Sequence, residues 1–180
     1  MLKDTYQKEI LPALQKEFSI KNKFAAPRIL KVVVNSGVGE LSKNKEGLER
    51  ARSNIALITG QAPSVRNAKL SVASFSLREG QPIGLKVTLR GKRMYDFLTK
   101  LNTIVLPRLR DFRGISLTSY DEHGNYNLGI RDISVFPEID ITQSGGRGLE
   151  ITVVTSTKDK KQSHRLLELI GFPFAKVDTQ

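Results

Sequence analysis

The chain has 180 residues, no cysteine and 39% hydrophobic residues, which fits one domain with a real core and excludes disulfides, haem attachment and a cysteine zinc site. Lys and Arg number 29 against 18 Asp and Glu, a net charge of +11 whose field draws a polyanion, nucleic acid first and an anionic membrane second. No apolar run approaches the ~20 residues of a membrane span, and residues 1–20 lack the apolar stretch of a signal peptide.

Asp4 and Gln7 suggest a capping box opening a first helix, with Tyr6, Ile10, Leu14 and Phe18 on one stripe and Pro12 kinking or shortening it. Residues 28–34, rich in β-branched types, predict a strand, and residues 35–40 a loop. Leu48, Ala51, Ile55 and Ile58 recur at helical spacing, and Gly60 with Pro63 ends that helix. A short strand is expected over 64–69. The clearest strand is 83–90, with Ile83, Leu85, Val87 and Leu89 on one side and Gly84, Lys86, Thr88 and Arg90 on the other. Met94, Phe97, Leu98, Leu101 and Val105 predict a helix stopped by Pro107. The glycine-rich stretch 114–148 predicts short strands and long loops, 149–155 a strand, and 158–170 a last helix closed by Gly171 and Pro173. Strands and helices in partly non-alternating order predict an α+β fold of two layers. Residues 1–180 are expected to form a single domain, with 1–83 the more basic half and 84–180 near neutral. Residues 1–90 hold 16 basic and 7 acidic side chains, and residues 91–180 hold 13 and 11.

Catalytic chemistry finds little to work with. Gly37, Gly39 and Ser42 imitate a dinucleotide fingerprint, but the third glycine is missing, as is the acidic residue expected about 20 positions on. His123 lies in a turn-like cluster and His164 on the polar face of the last helix beside Arg165; neither has a second histidine at metal-ligand spacing. No catalytic residue, metal or cofactor is expected. An enzyme acting on RNA or a nucleotide is the alternative reading, and it lacks an acid/base set.

Basic chemistry is concentrated. Residues 61–93 hold Arg66, Lys69, Arg78, Lys86, Arg90, Lys92 and Arg93 against one acid, Glu79. Lys86, Thr88 and Arg90 on one strand face give two cations and a hydroxyl for phosphate and ribose oxygens, with Lys69 and Ser71 adding to them from the preceding strand. Such a surface suits helical RNA, read by shape, phosphate and 2′-hydroxyl. With no aromatic signature on that sheet, base stacking is not expected to dominate. The connection 70–82 is long for a hairpin, and Arg78 beside Gly80 and Pro82 suggests a tip made to touch something. A membrane-surface role would instead set cations along an amphipathic helix, so no membrane partner is expected.

Nine blocks carry a resemblance: 6–14 (YQKEILPAL), 33–40 (VVNSGVGE), 58–61 (ITGQ), 77–84 (LREGQPIG), 86–91 (KVTLRG), 106–114 (LPRLRDFRG), 124–126 (GNY), 136–139 (FPEI) and 171–174 (GFPF). In order and over nearly the whole chain, they resemble the bacterial "L five" family of large-subunit ribosomal proteins, which binds 5S ribosomal RNA. The resemblance implies a cytoplasmic protein of the ribosome's central protuberance, without catalysis. It implies a mainly antiparallel sheet with one RNA-facing side and helices packed on the other. Implied partners are 5S rRNA, large-subunit rRNA, peptidyl-site tRNA, neighbouring 5S-binding ribosomal proteins and a small-subunit head protein across a bridge. Asn35, Gln61, Thr88 and Arg90 match family positions on the 5S side. Phe75, Ser76, Leu77, Arg78, Glu79, Gly80, Gln81 and Pro82 match the tRNA-facing loop, with Ser76 standing where many relatives carry a basic residue.

Overall fold

A computed structural model describes residues 2–41, 44–110, 112–140, 142 and 146–175; Ser42 of the incomplete fingerprint lies outside them. Five strands, β1 (Ile29–Gly37), β2 (Ser64–Asn67), β3 (Pro82–Leu89), β4 (Tyr126–Ile130) and β5 (Leu149–Thr155), form one mainly antiparallel sheet in the order β2-β3-β1-β5-β4. The α+β expectation holds. Chain contacts divide the residues into two units: unit 1 is Met1–Val32, Arg90–Leu128 and Thr152–Gln180, and unit 2 is Val33–Leu89 and Gly129–Ile151.

Unit 1 begins with a continuous helical run, and here the capping box fails: the helix already starts at Leu2, so Asp4 lies inside it. Pro12 does not break the run either. α1 (Leu2–Thr5) passes through a π turn, Tyr6–Ile10, into α2 (Leu11–Glu17), with the Leu11 N–H reaching back five residues to the Tyr6 carbonyl. Proline lacks the N–H of a normal turn and its ring crowds the carbonyl four residues before it; a wider turn just upstream accommodates both. The same device recurs after α4 (Gly91–Lys100): a π turn, Leu101–Val105, closes through the Leu106 N–H on the Leu101 carbonyl, one residue before Pro107. There the chain then ends in a 3-10 turn, Leu106–Arg108. Met94, Phe97, Leu98, Leu101 and Val105 are all buried, as the helical spacing requires.

α5 (Lys160–Ile170) is capped by Asp159, whose carboxylate accepts the Lys161 N–H at 2.9 Å, and closed by Gly171 at φ 100°. That left-handed conformation favours glycine. His164 of α5 is half-buried, outside the helix's buried set of Ser163, Leu166, Leu167 and Ile170. Its ring packs 4.3 Å from Phe174 and 6.2 Å from Tyr120, whose hydroxyl lies 3.3 Å from His164 Nδ1. Helical spacing cannot report that the segments 115–126 and 172–175 fold over this side. Tyr126 completes the cluster against Tyr120, Phe172 and Phe174. Wholly buried, it donates its hydroxyl to the Ser116 carbonyl at 2.7 Å, and burial pushes its phenol up to about 12. Beside it, Gly114 at φ 105° passes so close to Ala175 that a Cβ would stand 2.4 Å from its nitrogen.

Unit 2 is built on α3 (Lys45–Thr59) lying against β3. Ala51, Ile55 and Ile58 are buried as predicted, and Gly60 ends the helix at φ 66°. β1 runs further than its apolar core suggests: Asn35, Ser36 and Gly37 continue it, so the expected loop begins later. Ser36 is turned inward and donates to the Gly148 carbonyl at 2.9 Å.

Candidate nucleic-acid interface

Alternation along β3 holds from Leu85 onward; nearer the strand's start Ile83, expected on the buried side, is exposed, and Gly84, expected on the open side, is buried. Leu85, Val87 and Leu89 are at most 1% exposed, whereas Lys86 and Thr88 on the opposite face are half-exposed. Burying three branched aliphatic side chains on one face fixes the register of the other, because a slip of one residue would turn the whole apolar set to water.

β2 pairs antiparallel with β3, setting Ser64 opposite Lys86, Val65 opposite Leu85 and Arg66 opposite Gly84. Directly opposed residues share a sheet face, so Ser64, Arg66 and Lys86 stand on one side. Gly84 is the flat spot between neighbours: a Cβ there would meet Asn35 Oδ1 at 3.7 Å and Arg66 Cβ at 3.9 Å. Asn35 of β1 and Arg66 of β2 therefore face each other across the bare backbone of β3.

Gln61 reaches this region from the turn after α3. Its Nε2 donates to the Thr88 carbonyl at 3.3 Å, while Thr59 Oγ1 donates to the Gln61 carbonyl at 3.0 Å. The side chain is thereby tied to the strand that carries Thr88. Ser64 and Gly84 are absent from the sequence-derived set. Pairing the expected strand 64–69 against 83–90 would have revealed both, but the register cannot be read from either strand alone.

Two placements are corrected. Lys69 and Ser71 do not extend the strand face, because β2 ends at Asn67 where the pairing becomes irregular. Ser71 instead accepts the Glu79 N–H at 2.9 Å inside the following loop. Arg90 is past the end of β3; exposed and extended at φ −140°, it is the N-cap residue of α4 and falls in unit 1.

The loop is less open than its length suggests. Val72 and Leu77 form an antiparallel bridge around a 3-10 turn, Ala73–Phe75, and Ser76 at φ 49° reverses the chain. At its base, the Ala68 N–H bonds the Gln81 carbonyl and the Gly80 N–H bonds the Ala68 carbonyl. Gln81 Oε1 also accepts the Arg78 N–H at 3.0 Å. Phe75 stands 80% exposed at the far end.

Among the described residues, Arg66, Lys69, Arg78, Lys86 and Arg90 enter no salt bridge, whereas Arg50, Arg52 and Arg165 are paired with Glu46, Glu49 and the pair Glu17 and Glu168. Nor do the described residues contain a cluster of three or more His, Cys, Asp or Glu suited to a metal. What unit 2 presents is a face of free cations, an amide and hydroxyls beside a flat strip of backbone. Such groups are chemically suited to phosphate and ribose oxygens.

Comparison with known proteins shows the family. A family model for the C-terminus of the ribosomal L5 family matches residues 82–174, and one described as ribosomal protein L5 matches residues 22–78. The large ribosomal subunit protein uL5 of Dehalococcoides mccartyi is 54% identical over 167 residues, covering 92% of this chain and 93% of that protein. Its counterpart in Chloroflexus aurantiacus is 52% identical over 174 residues, covering 96% and 97%. That of Thermotoga maritima is 51% identical over 174 residues, covering 96% and 95%.

Proposed function

Because the chain belongs to the ribosomal protein L5 family, we propose that the polar sheet face of unit 2 holds 5S ribosomal RNA. As a member of that family the chain is a structural constituent of the large ribosomal subunit, not an enzyme, and works in the cytoplasmic ribosome. The observation that carries the finer reading is the juxtaposition of Asn35, Gly84 and Arg66, with Lys86 and Ser64 in register on the same face. Cations without an internal carboxylate are available to neutralise RNA phosphates, and the counterions thereby released from the RNA drive association.

Gln61, Thr88 and Arg90 extend the RNA contact, and Arg90 supplies a charge-assisted bond to phosphate. The loop from Phe75 to Pro82, rooted at Ala68 and Gln81, meets peptidyl-site tRNA with Arg78 and the exposed Phe75 ring. The near-neutral carboxy-terminal half serves a small-subunit head protein across a bridge, and large-subunit rRNA and neighbouring 5S-binding proteins are further partners.

Footprinting of 5S RNA with the purified chain tests this directly. Protection of one contiguous RNA region is expected, with affinity falling steeply as salt rises. If about five phosphates are neutralised, the log–log salt slope is roughly −3.5 to −4.5. A flat salt response, or equal affinity for an unrelated duplex, would overturn the reading.

A further inference from the structure

A second surface, in unit 1, has no role in the account above. After α2, Ser19 at φ 52° turns the chain back, with the Ile20 N–H on the Gln15 carbonyl and Gln15 Nε2 on the Ile20 carbonyl. Asn22 then builds a side-chain turn: its Oδ1 accepts the Phe24 N–H at 2.9 Å and its backbone carbonyl accepts the Ala25 N–H at 3.0 Å. Phe24 is held at the tip of that turn with 72% of its surface exposed. Only two residues further on the chain is fixed: Ala26 is 1% exposed, and the Pro27 carbonyl accepts the Tyr6 hydroxyl at 2.9 Å. Arg28 and Ser156 then exchange two hydrogen bonds, at 3.0 and 2.9 Å. A large ring is thus presented to water on a rooted turn.

The surrounding charge is one-sided. From Phe18 to Gly39 the chain has no acidic residue, while Lys21, Lys23, Arg28 and Lys31 are all basic. Lys23 Nζ sits 5.2 Å from the centre of the Phe24 ring, a cation–π contact that occupies one side of the ring. The chain neighbours of Phe24 are Lys23 and Ala25, and with 72% of its surface exposed the ring has little packed around it. Protein-docking hot spots centre on aromatics ringed by contacts that exclude water. An exposed aromatic among unpaired cations is instead the arrangement that stacks bases while tracking phosphates.

We propose that the turn 19–25 is a stacking platform for one unpaired base of ribosomal RNA, Phe24 supplying the ring and Lys21, Lys23 and Arg28 answering the flanking phosphates. This rests on the reading of the chain as an RNA-binding ribosomal protein, but not on the sheet face of unit 2. It adds base stacking to an RNA contact that the sheet makes by shape and charge.

The test uses the full chain and a single-stranded octamer of adenosine, followed by NMR at the Phe24 ring protons and by affinity. Stacking is expected to move those ring signals upfield. Phe24→Leu, which keeps an apolar side chain but no ring, is expected to weaken octamer binding about five- to a hundredfold. Phe24→Trp is expected to retain it, and neither substitution to move the melting temperature. Unmoved ring signals, or equal octamer binding by the wild type and Phe24→Leu, would overturn the platform. So would equal loss in Phe24→Leu and Phe24→Trp. Affinity for 5S RNA measured in parallel separates the two claims: its absence with a responsive Phe24 removes the sheet-face reading and leaves the platform standing.

Discussion

In unit 1, Tyr126 is wholly buried and its hydroxyl is answered by the Ser116 carbonyl, while His164 and Tyr120 answer each other. In unit 2, Arg66, Lys86 and Asn35 line a face on which, among the described residues, neither cation is met by a carboxylate. The first region uses its polar groups to complete a core; the second keeps them for something outside the chain. A buried polar group left unpaired costs stability, so internal satisfaction is what a core demands. An exposed cation costs nothing while hydrated, so it can be kept for a ligand. The contrast therefore separates the polar residues that hold the fold from those left available to a ligand.

The largest effect expected from this contrast is in the aromatic cluster. Tyr126→Ala removes a fully buried ring, and such truncations cost about 3–5 kcal/mol. In a chain of this size the melting temperature falls by roughly 10 °C. Calorimetry checks it; an unchanged transition would mean that the cluster is not core.

Arg90→Ala comes next: although it lies in unit 1 with Tyr126, Arg90 enters no salt bridge among the described residues. The side chain is exposed at the N-cap of α4, so folding is expected to be unaffected. One charge-assisted bond to phosphate is worth about 1.5–3 kcal/mol of RNA affinity. Loss of the thermal transition in this variant would show that Arg90 belongs to the structural set.

Asp121 sharpens the contrast through pH. Partial desolvation opposes ionisation, but hydrogen bonds from the Asn125 side chain and from the Asn125 and His123 N–H groups win, holding the carboxyl below its ordinary 3.8. A group whose folded pKa is depressed contributes stability above its unfolded value and loses it as pH falls through the folded one. Asp121→Ala is therefore expected to lower the melting temperature at pH 7, with the gap to wild type closing as pH drops below about 3.8. An equal gap at every pH would mean that charge plays no part.

The smallest effect on the fold is expected from shortening the loop between Ala68 and Gln81 to a tight turn. Its hydrogen bonds are internal and Phe75 is 80% exposed. Folding and 5S RNA affinity stay nearly intact, while tRNA handling by assembled ribosomes suffers. A large loss of stability would make the loop structural.

Much of this was legible in the sequence where periodicity speaks for itself. The alternation of Leu85, Val87 and Leu89 and the spacing of Ala51, Ile55 and Ile58 are local signals of which face is buried, and these six are buried as predicted, whereas Ile83, expected with the first three, is 36% exposed. The π turns were not legible: Pro12 announces a disturbance, but whether the helix breaks or widens depends on what packs against Ile10 and Leu14. Nor was the meeting of Asn35 with Arg66 across Gly84, since three strands far apart in sequence must first find their order. The packing beside His164 was not legible for a related reason: the ring of Phe174 that meets it comes from the far end of the chain. Local pattern fixes faces, whereas pairing between distant segments fixes sites.

The most direct test of the contrast is one double variant, Arg66→Ala with Lys86→Ala, measured for both melting temperature and the salt dependence of 5S RNA binding. With these two cations reserved for phosphate, the melting temperature stays at the wild-type value. The log–log salt slope becomes shallower by roughly 1.5 to 2, one phosphate for each cation lost. A lowered melting temperature with an unchanged slope would contradict the account, because the face would then be part of the scaffold and the RNA would be bound elsewhere.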